Sequence, residues 1–218
     1  MIDPAALYIV YDIETVPAAN VDEFAAQADV KPKANLVDPK KIEADIAAKR
    51  QAIIDKAGLH WWTGFICCIG AKNIENSECF SVCDNDEKSI LERFFMWLQA
   101  QRPVSKEMPT LIGKSSADFD APFVVGRAMA HDIGVPMEFR RFKYADIDHI
   151  FGYGHGASQT TSLNNYAWGL GMEGKLDGMS GADVAGLFAA GEYEKIRKYC
   201  MQDVELTAAI WERYLKVF

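Results

Sequence analysis

The sequence predicts a single α/β domain, a mixed β-sheet flanked by helices with a helical insertion after the first strand. Three observations predict it. Short runs rich in β-branched and aromatic residues recur at 7–12, 63–72, 77–83, 109–113 and 141–147. Segments with helical apolar spacing lie between and after them. The chain has 218 residues, half of them hydrophobic and a quarter charged, enough for one medium core. No internal repeat or low-complexity linker divides it, so residues 1–218 read as one unit.

The elements follow in order. LYIVYD at 7–12 reads as a buried strand, which TVP then breaks. Residues 18–37 are Ala-rich, carry Pro32 and look irregular. Residues 38–57 show helical spacing through Ile42, Ile46, Ile53 and Ile54, with Asp38 as cap and Gly58 as stop. The stretch 18–60 therefore reads as an inserted arm or lid. TGFICCIGAK and SECFSVC form a hairpin turning at Ile74 to Asn76. A helix over 86–101 places Ile90, Leu91, Phe94, Phe95 and Leu98 on one face. PTLIG is a short strand, 118–133 a helix, and 141–147 a strand after Arg140 and Arg141. A Gly-rich loop, FGYGHGASQTTS, comes next. Ser162 and Ser180 cap short helices ending near Leu170 and Ala190, and a last helix runs from Glu192 to Leu215.

Composition narrows the function classes. The net charge is −8, so no basic surface advertises a polynucleotide partner, although a metal-binding acid cluster would itself contribute negative charge. The N-terminus MIDPAALYIV has no basic n-region or long apolar run, and no stretch is long enough to cross a bilayer. Cys67, Cys68, Cys79, Cys83 and Cys200 form no CxxC and read as free buried thiols. A soluble, intracellular, cytoplasmic protein is expected. GKSS at 113–116 lacks the upstream glycine of a phosphate-binding loop; Met108 stands there. DNDEKS at 84–89 has Ser89 where a calcium loop needs glycine, so it reads as a capped helix start. The four histidines have no metal-ligand spacing.

The chemistry lies in the carboxylates. In YDIETVP, Asp12 and Glu14 are two apart on a strand and share a face. Two ionised acids that close need a cation between them, and hard divalent ions, Mg²⁺ or Mn²⁺, favour oxygen ligands. In LIGKSSADFDAPFVV, Asp120 follows Phe119 at the start of an amphipathic helix; Asp118 is near but lacks the preceding phenylalanine. In IRKYCMQDVEL, Tyr199 and Asp203 are four apart on one helical face.

In this order, D-x-E, F-D and Y-x-x-x-D, the sequence resembles the Tyr-bearing DEDD 3′–5′ exonucleases of the ribonuclease H-like superfamily. It is most similar to stand-alone proteins like the proofreading domain of family-B DNA polymerases. LHWWTGFICCIGA and TSLNNYAWGLGMEGKLDGMSGADV extend the likeness; residues 18–57 carry little of it. The resemblance implies a ribonuclease H-like fold and two metal ions. Asp12, Glu14 and Asp203 would hold the first, Asp12 and Asp120 the second, while Tyr199 orients the attacking water. The implied partner is nucleic acid with a free 3′ end, single-stranded DNA in the first instance. Thr15, Ser115 and Phe119 become candidate substrate contacts. Ser115 stands where the family often has asparagine, a shorter reach to the nucleotide. An exoribonuclease is the nearest alternative. A binding module without efficient catalysis and an Asp12-based phosphatase are alternatives of other classes. Trp61, Trp62, Arg140, Arg141 and Lys143 stay open between gripping a strand and ordinary packing.

Overall fold

Strand β1 (Tyr8–Pro17) organises the molecule. The computed structural model describes residues 7–101, 109–140, 144–152, 160–175 and 178–217. β2 (Gly64–Asn73) and β3 (Cys79–Cys83) form the antiparallel half of the sheet; β4 (Thr110–Gly113) and β5 (Tyr144–Asp146) run parallel on its other side. The order is β3-β2-β1-β4-β5. β1 pairs with β2 from Ile9 to Pro17, but with β4 only through Tyr8, Ile9 and Val10. Beyond Val10 the side of β1 facing β4 is open, at the carboxyl end of the parallel strands, where α/β sheets place their sites.

The two faces of β1 are sorted by alternation. Ile9, Tyr11 and Ile13 join Phe94 of α3 (Glu87–Ala100) and Phe123 of α4 (Asp120–Ala130) in one core. Val10 joins Val204 and Trp211 of the last helix (Tyr193–Leu215) in another. Asp12 and Glu14 continue the Val10 face.

A β-bulge interrupts that regularity. Glu14 pairs with Cys68 and Thr15 with Ile66, leaving Cys67 extra. Ile66 and Ile69 consequently share one core, while Cys67 and Cys68 share another with Ile196 and Cys200. The buried Glu87 carboxylate accepts the Ile66 N–H at 2.6 Å.

The strand persists to Pro17 instead of breaking at TVP, because β2 runs beside Thr15, Val16 and Pro17 and its ladder extends them. Pro17 is the terminal position, where a missing donor costs least. The stretch 18–37 contains a helix, α1 (Val21–Gln27), which buries Val21 and Ala25, four apart. The expected arm helix is α2 (Pro39–Asp55), with Asp38 accepting the Lys40 N–H at 2.9 Å. Its isoleucines are only half-buried. A 3₁₀ turn, Ala57–Leu59, leads back to β2.

Two short helices, α5 (Met137–Arg140) and α6 (Ile147–Gly152), flank β5 and were not expected. Residues 141–143 of the anticipated strand and 153–159 of the Gly-rich loop lie outside the described residues. Ser162 and Ser180 cap α7 (Leu163–Gly169) and α8 (Gly181–Ala189) as expected. The last helix is α9.

α9 lies against β2 at Gly70, the residue paired with Asp12. A Cβ there would stand 3.0 Å from Cys200 Sγ and Met201 Sδ, and 3.2 Å from Val204 Cγ2. Gly70→Val should therefore push α9 off the sheet, at a cost of about 1–3 kcal/mol. The expected result is a lowered melting temperature together with lost activity, because Tyr199 and Asp203 ride on the same helix turn. Thermal melts and a nuclease assay on one preparation test it.

Candidate active site

Four acids from three elements meet at the open stretch of β1. Asp12 and Glu14 project from its α9 face. Asp120 opens α4, and its Oδ1 accepts the Ile13 N–H at 3.1 Å, a donor on the strand edge that β4 does not cover. Asp203 and Tyr199 approach from α9. Glu14, Asp120, Asp203 and Tyr199 are buried and Asp12 is half-buried. Asp118, by contrast, is exposed.

Two further groups complete the cluster, and sequence reasoning missed both. Lys175 is ion-paired with Asp203 through Oδ1 and lies 4.3 Å from the centroid of the Tyr199 ring. Cys200 donates its thiol to the main-chain oxygen of Asp12 at 3.5 Å. Its sulfur and one carboxylate oxygen each from Asp12 and Glu14 lie within 4.8 Å of one another. Cys200 was legible only as a buried thiol. A lone lysine in a Gly-rich loop carries no spacing that marks it.

The electrostatics are those of too many acids for the cations present. Removal from water raises the Asp12 carboxyl well above its usual range, and the charges of Glu14, Asp120 and Asp203 raise it further, against Lys175. Burial, then Asp203, pushes Glu14 up to about 8, with Lys175 opposing. Burial pushes Asp120 up to about 7, against the stabilising Ile13 N–H. Asp203 is raised by burial and held back by Lys175. Tyr199 is raised by burial and then by Asp203, so its phenol keeps its proton.

These shifts fix the sign of a pH effect. Glu14 and Asp120 bind protons more tightly folded than unfolded, where their ordinary values are 4.5 and 3.8. The stability they contribute is full below their unfolded values and is lost as pH rises through their folded ones. In chelator, the melting temperature should therefore fall between about pH 5 and pH 8. Asp120→Asn should flatten that fall, as read from a melting series across pH.

The candidate substrate contacts are placed as follows. Ser115 has a left-handed backbone, φ 55, and donates its hydroxyl to Asp148 at 2.5 Å. Asp148 also pairs with Lys114 at 3.2 Å and accepts the Tyr166 hydroxyl at 2.7 Å. Asp146 accepts the N–H groups of Ser115, Ala117 and Asp148, so it shapes the GKSS turn. Phe119 is half-buried against Phe123, with centroids 5.5 Å apart. Thr15 donates its hydroxyl to the Gly58 carbonyl at 2.6 Å. The side chains of Arg140, Arg141 and Lys143 lie outside the described residues. All five cysteines are free, but only Cys67, Cys68 and Cys200 are buried; Cys83 is half-buried and Cys79 exposed.

A five-stranded mixed sheet in this order, flanked by helices and carrying acids on its central strand, is a ribonuclease H-like α/β fold of the exonuclease type. Over residues 64–217, more than half of the chain, the sequence matches the family described as predicted 3′–5′ exonucleases related to the exonuclease domain of PolB. The chain belongs to that family. No curated protein matches it. Asp120, Tyr199, Asp203 and Lys175 fall inside the matched stretch; β1 precedes it, and the folded geometry joins Asp12 and Glu14 to the rest. Among the described residues no helix is long and apolar enough to cross a membrane.

Proposed function

We propose that the protein is a divalent-metal-dependent 3′–5′ exonuclease that shortens single-stranded DNA. The observation that carries this reading is the convergence of Asp12, Glu14, Asp120 and Asp203 with Tyr199 at one buried point. The donor set fits the ions: carboxylate oxygens suit Mg²⁺ or Mn²⁺, and burial of several like charges calls for added positive charge. Asp12, Glu14 and Asp203 would hold one ion, and Asp12 with Asp120 a second. Bound there, such ions supply an acidified water and neutralise charge on the scissile phosphodiester.

The protein groups do the rest. Tyr199, protonated, offers its O–H to orient the attacking water. Lys175 shares Asp203 and covers the Tyr199 ring, so it holds both in place. Asp120, fixed by Ile13, ties α4 to β1. Phe119 borders the site as a surface for the terminal base, and Ser115 lies close by, although its hydroxyl is already given to Asp148. The whole chain acts as one exonuclease domain, with residues 18–60 as a helical arm. Its free thiols suit a reducing, cytoplasmic setting.

The test is digestion of 3′- and 5′-labelled single-stranded DNA, duplex DNA and RNA with Mg²⁺, Mn²⁺ or chelator. Stepwise shortening of single-stranded DNA from its 3′ end, abolished by chelator, is expected. Faster loss of RNA would reassign the substrate. Tight binding with no metal-stimulated turnover would leave only a binding module.

A further inference from the structure

We infer that the loop His60-Trp61-Trp62 is a stacking shelf for unpaired bases of the substrate strand; this rests on the exonuclease reading above. The loop follows the 3₁₀ turn and leads into β2. Trp61 is 40% and Trp62 52% exposed, large aromatic surfaces left in water beside a well-filled core. The rings are already arranged. His60 and Trp62 lie parallel, with centroids 4.6 Å apart and planes 10° apart, and Trp61 meets Trp62 edge-on at 5.8 Å.

The shelf is built rather than loose. Trp61 seats on Gly126 in the middle of α4, where a Cβ would come within 2.4 Å of its Cδ2. A glycine inside a helix costs stability, and here the vacated space receives the indole. Arg127 donates to the Trp61 carbonyl at 3.3 Å. The Gly64 N–H bonds to the His60 carbonyl at 2.7 Å, and the Ala18 N–H to the Thr63 carbonyl at 2.9 Å. Thr15, the residue after Glu14, donates to Gly58. The chain segment that carries the metal-binding pair is therefore pinned directly to the segment that carries the rings. Thr15, expected as a substrate contact, becomes a positioning residue for the shelf.

Bases are the occupant that fits. A flat, pre-stacked ring pair presents a π-face, and the neighbouring Arg127 guanidinium is held by Glu87. Such a surface binds any unpaired base by stacking, without reading its edge, and a rigid backbone loses little freedom on binding. A paired duplex keeps its base faces occupied, so the shelf selects single strands.

The test compares an oligothymidylate of about ten nucleotides with the p-nitrophenyl ester of thymidine 5′-monophosphate, which carries a single base. Trp62→Ala should raise KM for the oligonucleotide roughly tenfold and shrink its advantage over the ester. Thr15→Val should act in the same direction. Trp168→Ala, an 84% exposed tryptophan on α7, should change neither substrate. Trp62 is chosen because Trp61 fills the gap at Gly126 and its loss threatens folding. An unchanged oligonucleotide KM in Trp62→Ala, with both substrates still cleaved, overturns the shelf and leaves the exonuclease standing. If the wild-type protein cleaves neither substrate, the exonuclease reading fails instead. The shelf is then judged by quenching of tryptophan fluorescence on oligonucleotide binding, and absence of quenching overturns it.

Discussion

Asp12→Asn should lower the rate of 3′ cleavage by at least about a thousandfold while leaving the protein folded. Asparagine keeps the size of the side chain and removes its charge. Asp12 is the acid assigned to both ions, so no neighbour substitutes for it. The same substitution removes one of several mutually repelling acids, whose charges with burial raise the Asp12 carboxyl well above its usual range. The variant should therefore melt no lower than the parent in chelator at pH 8, a separation of activity from stability. Asp203→Asn should cost a comparable factor, and the double variant little more, because groups acting as one unit are not additive. Single-turnover cleavage and thermal melts on the same preparations measure both sides. Near-parental cleavage by Asp12→Asn would remove the proposed chemistry.

Glu87→Ala should be strongly destabilising, at about 3–5 kcal/mol and about 10 °C in melting temperature. The Glu87 side chain is 1% exposed. It accepts from Arg127 Nε and Nη2, meets His131 Nε2 at 2.6 Å and takes the Ile66 N–H. Removing it strands a guanidinium, an imidazole and a main-chain donor together, the costly half of the hydrogen-bond asymmetry. Glu87→Gln, which keeps an acceptor for Ile66, should fall between the two. A melting temperature for Glu87→Ala within about 2 °C of the parent would show that the network contributes little.

The elements that were legible are those whose periodicity is long. The hairpin, α3, α4 and α9 each declare themselves by a repeated apolar face. The serine-capped helices were legible because a cap is a local signal. What escaped depends on partners far along the chain. α1, α5 and α6 have seven, four and six residues and are too short for a pattern. The end of β1 depends on β2, more than forty residues later. The site divides similarly. The resemblance pointed to the five residues that the fold brings together, whereas Lys175 and Cys200 owe their places to packing. Gly70 belongs with them: in sequence it is one more glycine, and in the fold it is the space that lets a helix reach the strand opposite Asp12.

The extra residue at Cys67 makes β2 tolerant of shortening at one position and intolerant of it next door. Cys67 and Cys68 share a face, so excising Cys67 leaves Ile66 and Cys68 on opposite faces, each still beside its partner on β1, in a regular ladder. Excising the regularly paired Ile69 instead would invert Cys68 and everything before it relative to Gly70 and everything after it. A scan of single-codon deletions should thus find a mild effect at Cys67 and a sharp lesion at Ile69.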